Sequence, residues 1–228
     1  MAVLCAVTPF TCPSWGAGRE TALTQLQTQA EQCEAEAQFR LGVLYVTGDQ
    51  GIDQDYRQAR EWFLKAAGQG HLPALHNVGE LYYQGAGVRQ DYSEAAKWFA
   101  RAAEKGFPGS QHNLGQMHLE GLGVPKDPAQ GMSWLRKAAQ SGFARSQSFL
   151  GLLLTEQGPS GWDEAFSWLH KAAEQGDPDA QFNLASAYWT GRGCQVDKTK
   201  SVEWYQKAAD QGFEPALQVL KTVQGSKP

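Results

Sequence analysis

His76 and His112 stand 36 residues apart, and Glu80 lies one helical turn beyond His76. Imidazoles joined by a carboxylate are a familiar zinc donor set. Two histidines and one distant carboxylate fall short of it, and His-x-x-x-His spacing does not occur. The chain's serines have neither a Ser-x-x-Lys nor a Gly-x-Ser-x-Gly setting, so no nucleophile with its base can be picked out. Gly85-Ala86-Gly87, Gly121-Leu122-Gly123 and Gly191-Arg192-Gly193 suggest phosphate binding at first sight. A dinucleotide site would also need a preceding strand and a third glycine, so these read as turns. The cysteines Cys5, Cys12, Cys33 and Cys194 share no period, which argues against a disulfide ladder or a thiolate cluster. Cys33 reads as a helix-end residue and Cys194 as an apolar loop residue. No catalytic residue, metal site or cofactor is expected.

The elements that would position any site announce themselves through tryptophan. Trp62, Trp98, Trp134, Trp168 and Trp204 follow one another at intervals of 36, 36, 34 and 36 residues. Each begins the same phrase, ending in Lys65-Ala66-Ala67, Arg101-Ala102-Ala103, Lys137-Ala138-Ala139, Lys171-Ala172-Ala173 and Lys207-Ala208-Ala209, and Gly70, Gly106, Gly142, Gly176 and Gly212 close it. Such a period signifies units that bury their apolar faces against their neighbours.

Within the second unit, Ala74, Val78, Leu81 and Tyr82 draw one apolar stripe on a helix spanning about Pro73 to Gln84. Gly79 lies beside the stripe and recurs as Gly42, Gly115 and Gly151, with Ala185 in the fifth unit. A helical glycine costs about 1 kcal/mol relative to alanine, so close approach by a partner helix is the expected reason. Asp91 is expected to cap a second helix, about Tyr92 to Lys105, in a reciprocal capping box with Glu94. Asp55 with Gln58 and Asp127 with Gln130 repeat the arrangement, and Pro128 suits a first helical position. Ala95, Trp98, Phe99 and Ala102 should face inward, with Arg101 complementing the helix dipole and Gly106 as left-handed cap.

These Trp-x-x-Lys-Ala-Ala and Gly-x-Gly-Val-x-x-Asp phrases closely resemble the Sel-1-like repeat family, a helix–turn–helix relative of the tetratricopeptide repeat. Ala37-Gln38-x-x-Leu41-Gly42-x-x-Tyr45 and Ala180-Gln181-x-Asn183-Leu184 match its first-helix pattern. The resemblance implies an all-α fold, a right-handed superhelix of five helix–turn–helix repeats with capping helices, acting as an adaptor for protein complexes. Its bounds are a leader at 1–18, a capping helix at 19–34, repeats at 35–212, and a capping helix and tail at 213–228, about twelve helices in all. A cysteine-rich branch binds penicillin-like drugs and staples each helix pair by a disulfide. This chain lacks those paired cysteines, so that activity is not carried over. The fourth repeat loses two residues in its turn, Gln157-Gly158-Pro159-Ser160, where Ser160 is the expected cap, and the first gains one in Gly48-Asp49-Gln50-Gly51.

Recurrent residues build the array, so the variable ones are expected to recognise a partner. A separate face of the first helices carries Phe39 and Val43; His76, Glu80 and Tyr83; His112, Gln116 and Leu119; Leu152; and Phe182 and Trp189. If the first helices line a groove, these make an aromatic and apolar surface suited to a protein or peptide partner. The competing expectation is that some of them only pack against neighbouring helices. A net charge of −4 with interspersed signs excludes a basic nucleic-acid footprint. No apolar run reaches the length of a membrane span. A monomer is expected, an oligomer remaining open. A scaffold is preferred over a β-lactam or cell-wall hydrolase. Residues 1–18 are apolar but lack a basic start. They leave open a cytoplasmic location or, as a signal remnant, a periplasmic or secreted factor engaging an envelope or host.

Overall fold

A computed structural model describes residues 22–225, and the leader at 1–18 lies outside them. Twelve α-helices and one 3-10 turn account for the regular structure of these residues. They fall into two compact units divided between Lys105 and Gly106. The first unit holds α1 (Ala22–Glu31), α2 (Ala35–Thr47), α3 (Tyr56–Gly68), α4 (Leu72–Gln84) and α5 (Tyr92–Ala103). The second holds α6 (Pro108–Glu120), α7 (Pro128–Gln140), α8 (Ala144–Glu156), α9 (Trp162–Glu174), α10 (Pro178–Thr190), α11 (Lys198–Asp210) and α12 (Glu214–Gly225). The helices α1 and α12 pack on α2 and α11, and Ala216 and Leu220 of α12 are buried.

Each repeat pairs a first helix with a second across one tight contact. A methyl group on Gly79 would come within 2.7 Å of the Phe99 ring, and one on Gly42 within 2.6 Å of Phe63. Gly115 meets Leu135 and Gly151 meets Leu169 in the same way, which explains the helical glycines. In the first four repeats the residue after the tryptophan is therefore buried more deeply than the tryptophan itself. Phe63, Phe99, Leu135 and Leu169 are nearly inaccessible, whereas Trp62, Trp98, Trp134, Trp168 and Trp204 are half-buried. What covers those indoles is the basic residue three positions on. Lys65, Arg101, Lys137, Lys171 and Lys207 lie 3.6–4.4 Å from the ring centroids. One helical turn brings i and i+3 together, and each such pair is worth about 0.5–1 kcal/mol at an exposed site.

The turns behave as their glycines require. Gly85 and Gly87 take φ of +74° and +67°, and a side chain on Gly87 would strike the first turn of α3 at Tyr56 and Arg57. Gly193 presses on Trp162 and Phe166 of α9 in the same manner. Asp55, Asp91, Asp127 and Asp197 cap the second helices through their side chains. The reciprocal half of the box at Asp91 takes another form: Glu94 turns its carboxylate to Lys97 and to the Trp98 indole N–H instead. Ser160 does not cap α9 either. It falls inside the 3-10 turn Pro159–Gly161, and Gly161 occupies the cap position without a side-chain bond. The two-residue deletion leaves no room for an extended cap residue, and any side chain on Gly161 would collide with the Leu154 carbonyl.

Buried glutamines tie successive helices. In the first unit Gln69 donates to Gln38, which donates to the Ala30 carbonyl. In the second, Gln175, Gln147 and Ala139 repeat the relay, as do Gln211, Gln181 and Ala173. Cys33 stands where the later repeats carry their closing glycine and takes φ of +67°. An L side chain in the left-handed region is strained by roughly 1 kcal/mol, which glycine avoids. Cys33→Gly is thus expected to raise the midpoint of thermal unfolding, measured by circular dichroism. An unchanged or lower midpoint would show that the half-buried thiol's packing outweighs the backbone strain.

Candidate interaction groove

In the first unit the selected residues are already engaged with one another's helices. Phe39 stacks against Phe63 and His71, with ring centroids 5.7 and 4.8 Å apart. Val43 joins it along a recess of about 460 Å³ beside Leu26 of α1. His76 lies 5.4 Å from the Phe99 ring, and Glu80 approaches its Nε2 to 3.7 Å. Burial pushes the His76 pKa down to about 4. Tyr83 meets Tyr92 edge-on at 5.1 Å and also faces Phe99. These residues lie on the first helices α2 and α4, and much of their surface is spent on packing.

The second unit divides its selected residues more sharply. His112 is interior, 1% exposed, with Nδ1 2.9 Å from the Ser146 hydroxyl and Phe143 and Phe149 edge-on to its ring. Burial, aided by the charge of Arg145, lowers its pKa to about 4. Leu119 is drawn onto Gly131 of α7, and Phe182 is held between Tyr205 and Phe213. Leu152 and Trp189 remain outside, each 38% exposed, and Lys198 stands 5.0 Å over the Trp189 ring.

Two adjoining cavities run along α6, α8 and α10. The first, about 250 Å³, is bounded by His112, Gln116, Arg145, Leu152, Asp179 and Asn183 among others. Burial, reinforced by Asp177, raises the Asp179 carboxyl pKa. The second, about 260 Å³, has walls of Leu152, Trp162, Phe166 and Leu169, and a rim of Glu156, Asn183, Ser186 and Arg192. Leu152 and Asn183 border both, so the two form one groove with apolar walls and polar edges. Below it, Phe166 packs at right angles on Tyr188, and Cys194 donates its thiol toward the Ala187 carbonyl, burial pushing the thiol pKa up. Arg136 forks onto Glu164 through contacts of 2.8–3.2 Å, binding α7 to α9 and holding that carboxyl below its usual range.

Sequence reasoning selected His112, Gln116 and Leu152 for this groove but passed over Trp162, Phe166, Asn183 and Arg192. A signal for Trp162 existed: it is a tryptophan off the 36-residue beat, directly after the shortened turn. The charged rim had none, because Arg192 sits inside a turn phrase whose glycines dominate it. The groove offers apolar walls and polar edges. Its one serine–imidazole hydrogen bond, Ser146 to His112, is wholly buried, and among the described residues the far nitrogen of His112 meets no orienting group. Catalysis requires a nucleophile, base and orienting group open to substrate. No three His, Cys, Asp or Glu side chains among the described residues are placed to hold a metal. No helix of these residues is long and apolar enough to cross a membrane.

Comparison with known proteins matches the Sel1 repeat family model to residues 35–71, 72–107, 108–143, 144–177 and 178–213. Among solved structures, a Sel1 repeat protein from Oxalobacter formigenes is 32% identical, with a TM-score of 0.78 over 88% of this chain and 80% of that one. A protective antigen of uropathogenic Escherichia coli with an SLR fold is 35% identical, again with a TM-score of 0.78, over 86% of this chain and 42% of the antigen. Among curated relatives, an ERAD-associated E3 ubiquitin-protein ligase component of Arabidopsis thaliana is 37% identical over 62 residues, 27% of this chain. A chitin synthase regulator of Saccharomyces cerevisiae is 38% identical over 63 residues, 28% of this chain. The match spans 9% of the length of each of these two relatives.

Proposed function

Since the chain belongs to the Sel1 repeat family, we propose that it is a non-catalytic scaffold that binds a segment of a partner protein along its first helices. The observation that carries this reading is the continuous groove between α6, α8 and α10, apolar in its walls and polar at its rim. Such a surface suits an extended or helical segment anchored by a few side chains. Relatives described as a ligase component and a synthase regulator support a role exercised through other proteins. In the first unit the contact set extends to Phe39, Val43, His76, Glu80 and Tyr83. In the second it comprises Gln116, Leu119, Leu152, Phe182 and Trp189, with His112 acting from beneath the surface.

Cross-linking and affinity capture with the wild-type chain should identify the partner, and Leu152→Arg and Trp189→Ala should then weaken its binding. Both side chains are exposed, so helicity and melting temperature should stay within the small range of surface substitutions. Loss of a central anchor costs about 2 kcal/mol or more, roughly thirtyfold in affinity. A partner that binds both variants as tightly as the wild type would place recognition elsewhere.

A further inference from the structure

The second cavity of the groove lies at the repeat whose inter-helix turn is shortened. It opens beside the shortened fourth turn, with Glu156 at the end of α8 and Trp162 at the start of α9 on either side of Pro159–Gly161. Its volume, about 260 Å³, lies below the roughly 300–1,000 Å³ usual for small-molecule sites. The room is that of one large side chain, and the walls of Leu152, Trp162, Phe166 and Leu169 are those that would receive an apolar one.

Two opposite charges border this slot. Glu156 and Arg192 both line it, both are exposed, and neither takes part in the ion pairs formed among the described residues. Arg192 instead lies over the Trp162 ring at 5.6 Å, on the cavity's own wall. Both charges thus stand at the slot without an ion pair between them.

We propose that this cavity is the anchor site for a partner segment in which one bulky apolar residue is flanked by an acidic and a basic residue. The apolar side chain enters between Leu152, Trp162 and Phe166, the acidic one meets Arg192, and the basic one meets Glu156. The proposal rests on the reading of the chain as a partner-binding scaffold and adds the partner's chemistry. A segment carrying like charges on both sides of its anchor is repelled at one rim, so the bracket selects by exclusion as well as attraction.

Selection of a displayed random peptide library on the full chain tests it. Wild type should enrich peptides with a bulky apolar residue between opposite charges. Glu156→Lys and Arg192→Glu should each weaken the enriched peptides by about tenfold. The double exchange Glu156→Lys with Arg192→Glu should restore enrichment with the order of charges reversed along the peptide. Because both side chains are exposed, circular dichroism should show all three variants folded. Peptides enriched without flanking charges, or identical peptides from wild type and the double exchange, would overturn the proposal. Peptides that ignore Leu152→Arg yet are lost with Trp189→Ala would also overturn it while leaving the scaffold reading intact. An absence of enrichment on any form would count against the scaffold itself.

Discussion

Phe99→Ala is expected to cost about 3–5 kcal/mol of unfolding free energy, the range for emptying a fully buried aromatic site. Phe99 is 0% exposed and fills the hollow left by Gly79, with His76 5.4 Å and Tyr83 6.5 Å from its ring. The backbone at Gly79 offers no side chain that could swing in, so the cavity stays open. Trp98→Ala should cost less, although Trp98 is larger and belongs to the most regular feature of the sequence. That indole is half-buried, and the part of its energy owed to Arg101, 4.3 Å away, is about 0.5–1 kcal/mol. Urea unfolding of both variants followed by circular dichroism gives the order directly. Hydrogen exchange should show protection lost first in α4 and α5, since a repeat array transmits destabilisation only through neighbouring interfaces. A greater loss from Trp98→Ala than from Phe99→Ala would contradict this account of the core.

Acid should weaken the fold before carboxylate protonation becomes important. His112 and His76 both have pKa values lowered from 6.5 to about 4, chiefly by burial. As pH falls below about 6.5 the unfolded chain takes up protons at these rings while the folded chain does not, so the unfolded state gains. Stability is therefore undiminished above 6.5, declines as pH drops toward 4, and is independent of these two groups below that. For His112, which is 1% exposed, the whole loss amounts to about 3 kcal/mol. Between pH 6.5 and 5 most ordinary carboxylates are still ionised, so the slope there reports the imidazoles. His112→Asn removes one titrating group and should flatten the pH dependence of unfolding in that interval, whatever it does to stability at neutral pH. An unaltered slope would mean that His112 is reachable by protons in the folded state.

Much of the architecture could be read from residue types because each depends on local geometry. Gly85 and Gly87 need positive φ, Asp55 and Asp127 cap through their own first turns, and the alanines after each tryptophan admit a close neighbour. Where the reading failed, a local rule met a competitor. Glu94 had both a capping bond and an indole N–H within reach, and the bond to Trp98 took its carboxylate. Ser160 had the right side chain for a cap but lies in a turn too short to extend.

The variable face of the first helices illustrates the other limit. Phe39, Tyr83, His112 and Phe182 share a helical register with Leu152 and Trp189, and periodicity treats them alike. Packing separates them: His112 is drawn inside by Ser146, and Phe182 is taken up by Tyr205 and Phe213, while Leu152 and Trp189 stay exposed. Likewise, Trp162 and Arg192 are 30 residues apart in the chain and share a cavity only because α9 and the loop after α10 fold together. Sequence alone determined the repeat, its helices and its turns, since those follow from contacts within one turn or one period. Which variable side chains stay exposed was decided by tertiary structure, because exposure depends on neighbours that no local pattern encodes.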